Sequence, residues 1–74
     1  MTEREISDIR RKVKARLDVA YSFPYSNFGP EQQETIRAAM KLRTGVLEAI
    51  LKVLDSDEAR NLHHRTIESI TDMV

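Results

Sequence analysis

The segment Pro30–Leu54 constrains the fold more than any other part of this 74-residue chain. Its helical periodicity, without strand-like alternation, predicts a helix of about 37 Å at about 1.5 Å per residue. On a wheel of about 100° per residue, its apolar and small residues cover an arc of about 220°. They are Ile36, Ala38, Ala39, Met40, Leu42, Val46, Leu47, Ala49, Ile50, Leu51, Val53 and Leu54. A helix that buries one face carries a much narrower stripe. We therefore expect neighbours on both flanks of this helix.

Two shorter helical patterns flank this segment. Residues 2–20 carry a single apolar stripe, and Thr2 and Glu5 have the spacing of a capping box. Residues 57–73 repeat the pattern more weakly. The chain is therefore predicted to be one all-α domain over residues 1–74. The expected fold is a three-helix antiparallel bundle with helices at about 2–20, 30–54 and 57–73 and a long central second helix.

The second helix is longer than its predicted partners by about 8–10 Å, so part of its apolar surface needs another cover. Either the loop over residues 21–29 covers it, or a second copy of the chain does so in a homo-oligomer. A chain this short buries only about 60% of its unfolded surface. With no cysteine, disulfides cannot add stability, which leaves very regular helix packing or self-association to supply it. Gly45 inside the helix is typical of a bend or of a close approach between helices.

All four aromatic residues fall within the predicted loop, at Tyr21, Phe23, Tyr25 and Phe28. Aromatic rings bury much area per residue, so the first interpretation is a plug that seals the end of the bundle. A second interpretation keeps some of the rings exposed as anchors for a protein partner. A third is stacking on nucleic-acid bases.

A basic cluster lies in the first helix and consists of Arg10, Arg11, Lys12, Lys14 and Arg16. On the wheel these residues straddle the apolar stripe, as long side chains do when their stems cover apolar surface. The alternatives are a nucleic-acid-binding face, or contact with an acidic protein or membrane surface. The 12 basic and 12 acidic residues of the chain cancel, whereas nucleic-acid binders usually show a basic excess.

Three further polar residues lie at unusual positions. Arg43 falls inside the apolar arc, where it extends its charged end to solvent, pairs with a carboxylate such as Asp18 or Glu68, or lies at an interface. His63 is predicted on the apolar stripe of the third helix. His64 and Glu68 form the only metal-like pair, and without a third ligand no metal site is expected.

The composition contains no nucleophilic cysteine and no glycine-rich phosphate loop, so neither an enzyme nor a cofactor is predicted. No apolar run resembles a signal peptide or a membrane span, which predicts a soluble, cytoplasmic protein without membrane contact. The expected function is that of a small interaction or regulatory protein that binds another protein, itself included. The predicted partner-binding residues are Phe23, Tyr25, Phe28, Arg43, Val46, Ile50 and Val53. The alternative is a small nucleic-acid-binding regulator that uses the basic cluster.

Overall fold

The computed structural model describes residues 1–74 and contains three α-helices and two short 3-10 turns. Helix α1 spans Glu3–Tyr21, α2 spans Pro30–Leu54 and α3 spans His64–Met73. The 3-10 turns occupy Tyr25–Asn27 and Asp57–Asn61. The chain has no strand, so the predicted all-α fold with three helices is confirmed.

The starts of α1 and α2 follow from local sequence. The Oγ1 atom of Thr2 accepts a hydrogen bond from the backbone N–H of Glu5, at 3.2 Å. The Glu5 carboxylate in turn accepts one from the backbone N–H of Thr2, at 2.9 Å, which completes the predicted capping box. Pro30 is the first residue of α2, where its missing N–H breaks no helical hydrogen bond.

The third helix is shorter than predicted. A continuous helix over 57–73 is replaced by a 3-10 turn, an extended stretch at Leu62 and His63, and then α3. The carbonyls of Arg60 and Leu62 accept hydrogen bonds from the backbone nitrogen of Met1 instead of continuing a helix. This break lets α3 turn back along α1. It also places His63 at the exposed N-cap of α3, so its predicted position on an apolar stripe is wrong.

Polar contacts tie the helices together in a definite order. Between α1 and α2, Arg10 pairs with Asp55 at 2.6 Å and the Tyr21 hydroxyl donates to Glu48, so residues meet in opposite chain order. Between α1 and α3 they meet in the same chain order. Those contacts are His64 with Glu5, Lys12 with Glu68, and Arg16 with Thr71 and Asp72.

The core is small and lies between α1 and the second half of α2. It consists of Ile9, Val13 and Leu17 from α1 and Leu47, Ile50 and Leu54 from α2. Only 9 of the 74 residues are buried, and none of them precedes Leu47 in α2. The first half of α2 therefore extends beyond the core, with the aromatic loop beside its start.

The molecule is correspondingly elongated. Its extents are 44 × 17 × 15 Å and its radius of gyration is 14.3 Å. A compact domain of this length would have a radius of gyration of about 11 Å. None of the helices combines the length and apolar character that a bilayer-spanning segment needs.

Candidate functional site

An exposed apolar band runs along the outer face of α2, and we call it the α2 stripe. It consists of Ala38, Leu42, Gly45, Val46, Ala49 and Val53, all of them exposed. Leu42 is 75% exposed, and Val46 and Val53 are each 40% exposed. Leucine and valine lose favourable free energy when they stay in water, so exposed side chains in a row mark a surface suited to a partner.

The α2 stripe lies opposite the face that α2 buries. At about 100° per residue, its members fall within about 50° of one line along the helix. The side chains of Leu47, Leu51 and Leu54 lie about 130–170° away from that line and pack in or against the core. Helix α2 therefore has two apolar faces, one packed inside the chain and one open.

The prediction that neighbouring helices enclose α2 is wrong for the α2 stripe within a single chain. Helices α1 and α3 both pack on the core side of α2, and α3 has only 10 residues. The aromatic loop does not cover the stripe either, because Leu42 stays 75% exposed. The sequence left two covers open, the loop over residues 21–29 and a second copy of the chain. The loop does not provide that cover.

Gly45 lies at the middle of the α2 stripe, where the helix continues without a break. It borders a shallow open groove together with Ala38, Leu42, Val46 and Ala49. A Cβ atom added at Gly45 would meet nothing within 4 Å. No close contact inside the chain therefore requires a glycine, although glycine destabilises a helix interior by about 1 kcal/mol relative to alanine.

The aromatic loop forms a cluster of its own at the start of α2. The ring of Phe23 stacks on Phe28 at 5.7 Å between centroids and meets Tyr25 edge-on at 5.1 Å. The Arg37 guanidinium lies 4.5 Å above the Tyr25 ring, within the range of a cation–π contact. Phe23 and Tyr25 are half-buried, and Phe28 is exposed. The cluster thus packs mainly on itself.

Phe28 lies just before the start of α2, beyond the N-terminal end of the α2 stripe. It borders a groove on α2 with Gln32, Thr35 and Ile36. On the wheel Thr35 lies about 30° from the centre line of the α2 stripe, so that line continues toward Phe28. A partner longer than the stripe would reach this ring.

The structure separates the predicted partner-binding residues of α2. Val46 and Val53 belong to the α2 stripe, whereas Ile50 is 7% exposed and lies in the core. Arg43 is exposed beside Arg16 and the end of α3, and neither Asp18 nor Glu68 pairs with it. Arg43 therefore extends into solvent, and its predicted place at an interface stays a prediction.

Sequence reasoning did not single out Ala38, Leu42 and Ala49 as binding residues, and it marked Gly45 only as a bend or a close approach between helices. Their spacing of four, three and four residues carries the signal, since it follows one face of a helix. In a helix apolar over more than half its circumference, that spacing is hidden among the core positions. Only the location of α1 and α3 shows which apolar face stays open.

The basic cluster of α1 is largely occupied by carboxylates. The pairs are Arg10 with Asp55 at 2.6 Å, Arg11 with Asp8 at 2.6 Å, Lys12 with Glu68 at 3.8 Å and Arg16 with Asp72 at 3.3 Å. Among the five, only Lys14 has no such ion pair. A nucleic-acid phosphate would have to compete with these carboxylates, two of which belong to α3, for the same cations.

His64 links α1 and α3 by lying between two carboxylates. Its Nδ1 atom is 3.3 Å from Glu5 and its Nε2 atom is 3.3 Å from Glu68. The Glu5 pKa is lowered, chiefly by the hydrogen bond from the Thr2 backbone and to a smaller extent by His64. No group of three or more His, Asp or Glu side chains is arranged to hold a metal ion. The arrangement fastens one helix to another.

Comparisons of the chain with protein-family models, with curated proteins and with solved structures find no significant match. These comparisons therefore supply no partner for the α2 stripe. Its chemistry has to be taken from the residues themselves.

Proposed function

We propose that this chain is a non-enzymatic protein–protein interaction or regulatory module whose binding face is the α2 stripe. The partner is another protein chain, copies of this chain included. The observation that carries the proposal is the 75% exposure of Leu42 at the centre of an apolar face that neither the other helices nor the loop covers.

A helix face of this kind suits one class of partner best. A partner helix can bury side chains repeated every three or four positions, because its own ridges follow the same spacing. The centre of the α2 stripe carries no charged side chain, while Lys41, Glu48 and Lys52 follow one of its edges. An apolar centre with a polar rim is the usual anatomy of a protein interface.

The proposal is tested by recovering the tagged 74-residue chain from lysate of the source cells, with and without nuclease treatment. We compare the unmodified chain with Leu42→Glu, which places a charge on the α2 stripe without touching the core. The matched control is Val19→Glu on α1, where the replaced side chain is 64% exposed and lies outside the stripe.

Loss of the co-purifying proteins with Leu42→Glu, and their retention with Val19→Glu, is the expected result. If both variants recover the same proteins as the unmodified chain, the α2 stripe is not the binding face. If capture depends on nucleic acid, so that nuclease abolishes it, the interaction module is the wrong function class.

A further inference from the structure

The α2 stripe is symmetric about its own midpoint. Positions equally far from that midpoint form three pairs, and each pair combines a larger and a smaller residue. The pairs are Ala38 with Val53, Leu42 with Ala49, and Gly45 with Val46. When the direction of the helix is reversed about this midpoint, each larger residue therefore takes the position of a smaller one.

We propose that the partner of the α2 stripe is a second copy of the chain, bound with the two α2 helices antiparallel. This inference rests on the proposed function and names the partner for the same face. The two-fold axis passes between Gly45 and Val46. A two-fold interface uses the same patch on both copies, so equidistant positions face each other. Leu42 of one copy then meets Ala49 of the other, and Val53 meets Ala38.

Large-on-small packing favours the antiparallel arrangement over the parallel one. In a parallel pair Leu42 would face Leu42 and Ala49 would face Ala49. The leucine layer would hold the helices apart and the alanine layer would leave a gap, which forfeits van der Waals contacts. In the antiparallel pair every layer holds similar side-chain volume, so the helices can stay in contact along the whole stripe.

Gly45 supports a close approach from outside the chain. Within the chain its missing side chain serves no contact, as the open space around it shows. At the two-fold axis Gly45 of one copy would lie beside Gly45 and Val46 of the other. The absence of a Cβ atom there lets the two helix backbones come near each other, which is a common use of glycine between helices.

The charges at the edge of the α2 stripe fit the same orientation. Lys41 and Glu48 lie on one edge, both exposed, and Lys41 makes no ion pair within the chain. In the antiparallel pair, Lys41 of each copy falls within about 3 Å of Glu48 of the other along the helix axis. A parallel pair would instead place Lys41 beside the exposed cation of Arg43. Such edge charges select orientation more than they add affinity.

The area involved predicts a weak dimer. The α2 stripe is about 24 Å long and about 10 Å wide, which gives roughly 240 Å² on each copy, or roughly 480 Å² over both. That value lies below the range of stable, specific interfaces. We therefore expect a dissociation constant in the micromolar range, at about 10 µM or above.

The first measurement is the molar mass of the purified chain by sedimentation equilibrium from about 10 µM to about 500 µM. The expected result is a monomer–dimer equilibrium that Leu42→Glu abolishes and Val19→Glu leaves intact. Gly45→Gln should also abolish the dimer while raising the thermal stability of the monomer, because glutamine favours helix and meets open space. Loss of assembly in a more stable chain cannot come from misfolding. A chain that stays monomeric throughout, or a dimer that survives Leu42→Glu, overturns the proposal.

The second measurement tests the orientation of the two helices. Because the chain has no native cysteine, only the introduced cysteines can form disulfides. Chains carrying Leu42→Cys and Ala49→Cys, distinguished by a tag, are mixed and oxidised. The antiparallel register predicts disulfides between the two different variants, since a disulfide needs Cα atoms within about 7 Å. Equal positions would lie about 10 Å apart along the axis. Disulfides between identical variants would overturn the register.

The two proposals can fail separately. If the purified chain is monomeric but capture of lysate proteins still depends on Leu42, self-association is wrong and the interaction module stands. If Leu42→Glu changes neither molar mass nor capture, both proposals fall.

Discussion

At the scale of single residues, polar side chains of α1 connect this helix to α3. The capping box of Thr2 and Glu5 starts the helix, and the same Glu5 carboxylate contacts His64 of α3. Arg16 donates from Nε to the carbonyl of Thr71 at 3.0 Å and so holds the end of α3. These charge-assisted contacts hold α3 beside α1, together with Ile67 and Val74, which pack against the core.

The lowered Glu5 pKa makes a prediction about acid stability. Because the folded-state pKa lies below the ordinary value, the stabilisation by ionised Glu5 is complete above about pH 4.3. It is lost as the pH falls through the lowered folded-state value. We expect Glu5→Gln, a neutral analogue of the protonated acid, to lower the urea midpoint at neutral pH, and we expect this deficit to shrink as the pH falls through the lowered folded-state pKa of Glu5.

The matched control is Glu34→Gln, which replaces an exposed glutamate without a side-chain ion pair. It should leave the urea midpoint unchanged at neutral pH. A Glu5→Gln deficit of the same size at neutral and acid pH would count against the role assigned to the Glu5 charge.

At the scale of the element, α2 carries two apolar faces with different tasks. Leu47 is fully buried between the helices, whereas Leu42, little more than one turn earlier, is 75% exposed. Helix α2 forms over its whole length because most of its residues favour the helical conformation. Pro30 suits the N-terminal end and the positive charge of Lys52 suits the C-terminal end. Its second half gains further stability from the core, and its first half does not.

Two leucine substitutions on α2 separate these faces. We expect Leu47→Ala to lower the free energy of unfolding by about 2–5 kcal/mol, because it leaves a cavity in the core. Leu42→Ala should change it by no more than about 0.5 kcal/mol at low micromolar concentration, where the chain is monomeric. Circular dichroism during urea unfolding measures both. Equal losses for the two variants would show that the two faces are not distinct.

At the scale of the whole molecule, the elongated shape and the small core both indicate limited internal packing. An elongated chain with nine buried residues has little internal packing to hold it together. Covering the α2 stripe would extend the apolar interior on the side that the chain leaves open. Folding and association are thus expected to be coupled in this molecule.

This coupling predicts a melting temperature that depends on concentration. Binding to the folded state alone raises stability by mass action. Between about 10 µM and about 500 µM, we expect the melting temperature to rise by about 4–8 °C for each kcal/mol of association free energy. Leu42→Glu should remove the dependence, and Val19→Glu should retain it. A melting temperature that is constant across this range for the unmodified chain would contradict the coupling.

Sequence patterns predicted the elements well where the signals are local. The capping box, Pro30 at the first position of α2 and the end of that helix at Leu54 are as expected, because each depends on neighbours a few residues away. The break at Leu62 and His63 was missed. The break allows the following helix, α3, to contact α1, for example through His64 and Glu5. Such contacts between residues distant in sequence leave no signal in a local pattern. The exposed position of Arg43 and the buried position of Ile50 likewise depend on contacts between residues distant in sequence.

The sequence by itself determined that this chain is helical and that its longest helix is apolar over more than half its circumference. Periodicity carries that information, because each side chain's direction on a helix follows from its position in the chain. Only the tertiary structure decided which half of that surface is buried. Helices α1 and α3 both pack on one side of α2, and contacts between residues distant in sequence put them there. The α2 stripe is exposed as a result, and the proposed binding face follows from that placement.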